Sequence, residues 1–353
     1  MDRRCIIVLG MHRSGTSALT GTLNLLGVEL GTSLIPASPE VNAKGFWEHA
    51  PIVAIHERLL EALGSAWHDE RPLPEEWWEQ PGVQPFRQEL LEMLQREFGS
   101  LPLWGLKDPR LCRLLPLWLP ILQEFSCQPL FILIARHPDE VAASLERRDG
   151  FHTEKSHLLW LQHFLEAERN SRGQPRVLVT YDQLLADWRG TMSRVGKALS
   201  LPMNPGDLVT QAKIDAFLEP GLRHCHPLDQ SVREEERLRQ LAHSLYRLCG
   251  NTSDPDLLRP ELETAARETA AITRLIAPWA SRLLSLWPIR DELAATRERL
   301  ADREKLVSLL QKEILRIKST FSWQVTKPLR LLAFLSRRGC NTVSSDRPGI
   351  DEN

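Results

Sequence analysis

The first thirty residues constrain this chain most. Cys5-Ile6-Ile7-Val8-Leu9 is an unbroken apolar run closed by Gly10, and beyond Ser17 a helical pattern carries Leu19, Leu23 and Leu26 up to Gly27. A strand without polar alternation is buried on both faces, which requires helices above and below a parallel sheet. Between strand and helix lies Gly10-Met11-His12-Arg13-Ser14-Gly15-Thr16-Ser17. Such a loop turns its backbone N–H groups inward at the positive end of the following helix, where an anion fits. A purely structural turn is the alternative.

The rest of the chain repeats the alternation. Helical patterns cover 51–63, 84–98, 138–147 and 156–170, and apolar runs at 129–135 and 176–181 read as further buried strands. Residues 103–106 form a short strand or turn. Residues 67–85, acidic and rich in proline and tryptophan, read as a surface excursion, and 231–286 as mostly helical. The expectation is an α/β three-layer sandwich with a parallel sheet over 1–286, of the P-loop NTPase-like kind. From Ile289 the texture changes. Leu293, Leu300, Val307 and Ile314 recur every seven residues, joined by Leu310 and Ile317. That spacing predicts a coiled-coil helix over 287–320. A single amphipathic helix packed on its own domain is the alternative, because Thr296 and Arg303 interrupt the second seam. Residues 321–353 form a basic, aromatic tail with a polar, disordered end.

Composition bounds the function. The 353 residues are 42% hydrophobic and 25% charged with a formal net charge of −2, which argues against a broad nucleic-acid surface. Cys5, Cys112, Cys127, Cys225, Cys249 and Cys340 are scattered without CxxC pairs, the pattern of a reduced compartment and not of a disulfide framework or zinc site. The apolar start is too short for a signal peptide, and the longest apolar stretch, 114–122, is interrupted by Pro116 and Pro120. A cytoplasmic protein is expected.

The loop has P-loop spacing, but Thr16 stands where a nucleoside-triphosphate enzyme needs lysine. Arg13 can supply positive charge instead. The strand 129–135 leads into Arg136, where such enzymes place a Mg²⁺-binding aspartate. The site therefore reads as one for an anion, with no metal required. At this point the segment resembles the 5′-phosphosulfate loop of sulfotransferases that use 3′-phosphoadenosine 5′-phosphosulfate (PAPS), with its R-S-G-T-S/T core. Arg136-His137-Pro138-Asp139-Glu140-Val141-Ala142-Ala143-Ser144 matches the same family's arginine and serine eight residues apart. The resemblance implies that Arg13, Ser14, Gly15, Thr16 and Ser17 hold the 5′-phosphosulfate, and Arg136 and Ser144 the 3′-phosphate.

Further segments between residues 3 and 230 fit the resemblance. Asn42-Ala43-Lys44-Gly45-Phe46-Trp47-Glu48-His49 is similar to a stretch of bacterial and carbohydrate-directed members, which implies Glu48 as the base that deprotonates the acceptor. A helix-start acid is the plain alternative, and His49 and His56 rank below Glu48. Gly105-Leu106-Lys107-Asp108-Pro109-Arg110 is similar to a K-D/T-P-R motif, which implies Lys107 and Arg110 beside the transferred group. Arg13 joins Glu48 and Lys107 as a catalytic candidate. Residues 179–185, with Tyr181, resemble a fold marker. Residues 217–224 resemble a segment that approaches the nucleotide, so Arg223 either closes over a phosphate or is a solvated loop arginine. Trp47, Trp77 and Trp78 either stack on a sugar or serve as packing.

Ser322-Trp323-Gln324-Val325-Thr326-Lys327-Pro328-Leu329-Arg330 resembles a tail found on bacterial surface-polysaccharide glycosyltransferases. That implies a glycan or lipid-linked saccharide acceptor, with self-association or a glycosyltransferase partner through 287–320. The basic, aromatic stretch 318–338 either lies on an anionic membrane surface, at the inner face of the membrane, or folds back on the protein. Two other readings stay open: a P-loop kinase or nucleotidase, and a non-catalytic module that keeps the nucleotide fold.

Overall fold

The structure is a computed structural model that describes residues 3–38, 44–201, 203, 207–218 and 237–319. The chain divides into two compact units, Met1–Leu284 and Ser285–Asn353.

In the first unit four parallel strands form one sheet: β1 (Arg3–Leu9), β2 (Leu103–Lys107), β3 (Cys127–Ala135) and β4 (Arg176–Thr180), in the order β2-β1-β3-β4. The central strands are apolar on both faces for the reason read from sequence. Ile6 and Val8 of β1 join one core with Leu130, Ile132 and Ile134 of β3 and with Leu19 and Leu23 of α1 (Thr16–Leu25). Met192 and Val195 of α8 (Trp188–Ala198) close that core. Alternate residues Cys5, Ile7 and Leu9 are equally buried on the other face. There α4 (Leu111–Glu124) and α6 (Thr153–Asn170) pack on the sheet, with α5 (Pro138–Asp149) against α6. The result is the expected three-layer α/β sandwich.

Element boundaries differ at several points. Helix α2 (Ala50–Ala62) and α3 (Gln84–Phe98) fall as expected, and β2 is a full strand. Helix α4 has no counterpart among the elements read from sequence; Pro116 and Pro120, which interrupt the apolar stretch 114–122, both lie inside it. Its strongly apolar face, with Leu114, Leu115, Trp118, Ile121 and Leu122 buried, outweighs the prolines' cost. Helices α7 (Tyr181–Ala186) and α9 (Leu208–Phe217) were also unforeseen. In the segment 67–85, which the sequence predicts as a surface excursion, His68, Asp69, Glu70, Trp77 and Val83 are buried. At 69–71 Arg113 of α4, itself buried, donates from its guanidinium to the carbonyls of Asp69 (3.1 Å) and Arg71 (2.7 Å) and ties the chain inward.

Helix α10 (Arg237–Asn251) packs on α6 and β4. Helix α11 runs from Arg259 to Ser319, beginning well before the heptad pattern does. Leu262, Ala265, Thr269 and Thr273 bury one stripe of its first part in the first unit. In the second unit the described residues are helical to Ser319. No helix among the described residues is long and apolar enough to cross a membrane.

Candidate active site

The site is built at the carboxyl ends of β1, β2 and β3. After β1 the chain leaves the sheet at Gly10, where an added Cβ would lie 2.6 Å from the Ile134 carbonyl oxygen. The Ser14 N–H donates to the Met11 carbonyl (3.1 Å), and Arg13 (φ 69°) and Gly15 (φ 86°) adopt left-handed backbone. A Cβ at Gly15 would sit 2.3 Å from the Tyr181 ring, so only glycine fits. Helix α1 starts here with no side-chain cap and no acidic residue in its first turn. Its leading N–H groups and dipole are thus left for an anion from outside the helix. Two buried polar atoms beside them, Ser14 Oγ and His12 Nε2, have no hydrogen-bond partner among the described residues. A buried donor left unpaired is costly, which fits a loop completed by a ligand.

The second arm comes from the end of β3. Arg136 is buried; its Nη1 donates to the Arg13 carbonyl (3.2 Å) and its Nε to Glu140 Oε2 (2.8 Å). Its guanidinium stands 4.9 Å over the Tyr181 ring. Arg13 in turn donates from Nε to Ser144 Oγ of α5 (2.8 Å). One turn further along that helix face lies Arg148. Burial, then the like charges of Arg148 and Arg136, holds the Arg13 guanidinium below its ordinary range. Crowded cations of this kind favour a bound anion. Burial likewise holds the His12 imidazole well below its usual value, with Arg110 and Arg148 adding to the effect.

The third arm faces the loop from β2. Lys107 Nζ donates to Glu48 Oε1 (2.5 Å), to the Phe46 carbonyl (3.1 Å) and to Ser17 Oγ (3.2 Å). Both Lys107 and Glu48 are buried. The 48–50 stretch is held by two backbone bonds to a preceding segment, from Ile35 N to the Glu48 carbonyl and from Ala50 N to the Ser33 carbonyl, each 2.8 Å. Trp47, just before Glu48, adopts left-handed backbone at φ 62°. The ammonium of Lys107 therefore bridges the anion loop and the carboxylate of Glu48.

Arg110 does not join this group. Its guanidinium is bound to Asp108 Oδ1 (2.8 Å) and to Glu57 of α2, and these partners raise it above the ordinary arginine range despite burial. Asp108 also accepts from His56 Nδ1 (2.7 Å), while Trp118 Nε1 donates to His56 Nε2 (2.8 Å). An indole N–H only donates, so His56 keeps its proton on Nδ1 and its lone pair toward Trp118. The K-D-P-R segment thus splits: Lys107 faces the site, whereas Asp108 and Arg110 clamp α2 to the strand end.

Arg223 and Asn42 lie outside the described residues. Trp47 packs edge-on against Phe217 at 6.0 Å, and Trp77 is buried against Trp78. His49 is buried with Nε2 3.3 Å from Glu97 Oε2. Two residues that sequence reasoning did not assign now stand out, Tyr181 beneath Gly15 and Arg148 beside Arg13. The i, i+4 spacing of Ser144 and Arg148 was the available signal for the latter. Among the described residues, one cluster of metal-ligand type occurs, at His137, Asp139 and His243. Asp139 there accepts from His157 (2.9 Å), His243 (2.8 Å) and Arg239 (2.7 Å), which docks α10 onto α5 and α6.

Glycine-bounded loop, uncapped helix and neighbouring cations outline a candidate anion site in an α/β fold. The sequence profile of the sulfotransferase family matches residues 5–205, and the chain belongs to that family. Solved structures give lower similarities. The sulfotransferase domain of the Synechococcus PCC 7002 olefin synthase is 17% identical, with a TM-score of 0.38 over 69% of this chain and 95% of that one. The sulfotransferase domain from the curacin biosynthetic pathway is 16% identical, with a TM-score of 0.36 over 69% and 98%. Sulfotransferase STF1 from Mycobacterium tuberculosis H37Rv is 15% identical, with a TM-score of 0.34 over 61% and 71%. No curated protein matches significantly.

Proposed function

We propose that the enzyme moves a sulfuryl group from PAPS to a hydroxyl, or an amine, of a glycan or lipid-linked saccharide. The observation that carries the reading is the convergence of Arg13, Arg136 and Ser144 on the mouth of the 10–17 loop. A donor with phosphates at two ends needs two anion subsites, a requirement that the neighbouring Arg13 and Arg136 support. Residues Arg13 to Ser17 and the start of α1 hold the 5′-phosphosulfate; Arg136 and Ser144 hold the 3′-phosphate. Once the donor is in, Ser144 and the Arg136 fork turn from protein partners to phosphate oxygens.

Glu48 takes the proton of the acceptor hydroxyl as its oxygen bonds to sulfur. The bond from sulfur to the donor's phosphate oxygen breaks, and adenosine 3′,5′-bisphosphate leaves. Lys107 and Arg13 meet the charge that builds on the transferred group and the leaving phosphate. The bridge from Lys107 to Ser17 and Glu48 supports this division, since one ammonium contacts both the donor loop and the base. A general base contributes on the order of a hundredfold or more in rate.

The test is turnover of sulfur-labelled PAPS against a panel of bacterial glycans and lipid-linked saccharides. Label should appear on a saccharide, and Glu48→Gln should cut kcat about a hundredfold while leaving the donor KM near its original value. Labelled product from ATP in preference to PAPS would move the enzyme to the kinases. Tight bisphosphate binding with no turnover on any acceptor would mark a non-catalytic module.

A further inference from the structure

The second unit exposes an apolar stripe. In the helix beyond Ser285, Leu293, Leu300, Val307 and Ile314 repeat every seven residues, and Ile289 and Leu310 fall on the alternate seam. All six are exposed, from 49% at Ile314 to 62% at Ile289. A strict seven-residue repeat suits a second helix wound around the first, because it keeps one seam facing the partner along the whole length. With the four-member series at the a positions, Thr296 and Arg303 take d. Leu306 flanks the seam, and Leu309 and Leu315 fall outside it.

The flanking charges identify the partner. In a parallel pair each g position meets the e position of the next heptad on the other helix. Glu292 at g then meets Arg297 at e, and Arg299 at g meets Glu304 at e. Two copies of this one sequence satisfy both pairs in both directions. An antiparallel pair that sets Leu300 against Arg303 brings Glu292 onto Glu313 of the other copy. Opposite charges on the flanks decide partner and orientation, and polar seam residues fix register at a cost in stability.

We propose that residues 289–319 pair with the same segment of a second copy in a parallel, in-register, two-stranded coiled coil. The enzyme would then work as a dimer tied through its carboxyl-terminal helices. This inference is independent of the donor and acceptor assigned above.

Sedimentation equilibrium of the full chain over a wide concentration range tests it. Mass should rise from 40.3 kDa toward twice that value. Val307→Asp should hold it at the monomer mass, with thermal unfolding of the catalytic unit unchanged. Arg303→Leu should tighten the dimer about tenfold or more in Kd. Mild oxidation of Leu300→Cys should give a covalent dimer, because an in-register parallel pair sets that position against itself. Monomer mass at every concentration, or a dimer indifferent to Val307→Asp, would overturn the proposal. A dimer in which Leu300→Cys stays uncross-linked would overturn its orientation and register.

Discussion

Arg13 Nε donates to Ser144 Oγ across 2.8 Å, although the residues lie 131 positions apart. The bond joins the loop after β1 to the helix after β3, and it places the loop's only cation against the hydroxyl that the second anion motif contributes. In a donor complex both ends would share one nucleotide. Ser144→Ala should therefore weaken the donor about tenfold, near the value of one hydrogen bond to a charged group. Global stability should change little, since Arg13 is only half-buried. Donor saturation curves beside thermal unfolding separate the two effects.

Gly15→Ala should damage the site more deeply. It forces a side chain into left-handed backbone and onto the Tyr181 ring. A strained position of this type costs on the order of 1–3 kcal/mol. Adding Tyr181→Ala relieves the clash but not the backbone strain, so the double variant should recover donor binding only in part. Calorimetric titration with adenosine 3′,5′-bisphosphate reads the recovery.

Lys107 and Glu48 form a buried pair at 2.5 Å, and each is the other's charged partner. Lys107→Met leaves a buried carboxylate without its cation, and Glu48→Gln leaves a buried ammonium with neutral acceptors in place of its anion. Each single change should destabilise by about 3–5 kcal/mol, whereas the double change should cost less than the sum. Both singles should abolish most turnover. Denaturant unfolding of the four proteins in this cycle measures the coupling.

His163 on α6 supplies an acid-sensitive term. Burial, reinforced by Arg113, lowers it to about 3, with its Nδ1 bonded to the Leu159 carbonyl. The unfolded chain takes up this proton near the ordinary value of 6.5, while the native protein resists until about 3. Between those values the unfolded state holds more protons, so stability is lost as pH falls, by up to about 1.4 kcal/mol per unit. Above 6.5 and below 3 this residue adds no slope. His163→Phe should flatten the acid limb of the stability profile between those limits, measured by denaturant unfolding from pH 7 to pH 4.

Much of this frame was legible in the sequence. Unbroken apolar runs mark β1 and β3 because strands buried on both faces have no polar side. Arg136 was legible because it directly follows the apolar run of β3, and Arg13 because it lies in the glycine-bounded loop after β1. The fate of Arg110 was not, since its partner Glu57 comes from a distant helix that spacing cannot bring near. Helix α4 was hidden because Pro116 and Pro120 obey local rules that its burial overrides. The inward pull of Arg113 on 69–71 is likewise a tertiary effect. Tyr181 looked like a marker of the fold and became visible as part of the site only where its ring fills the space at Gly15.

The most direct test of the account is calorimetric titration of the protein with adenosine 3′,5′-bisphosphate, alongside ADP and ATP, with and without Mg²⁺. The account predicts that the bisphosphate binds tightest without added metal. Arg136→Ala should weaken it about ten- to a hundredfold, the worth of a charge-assisted phosphate contact. Tighter, Mg²⁺-dependent binding of ATP, or bisphosphate binding untouched by Arg136→Ala, would contradict it.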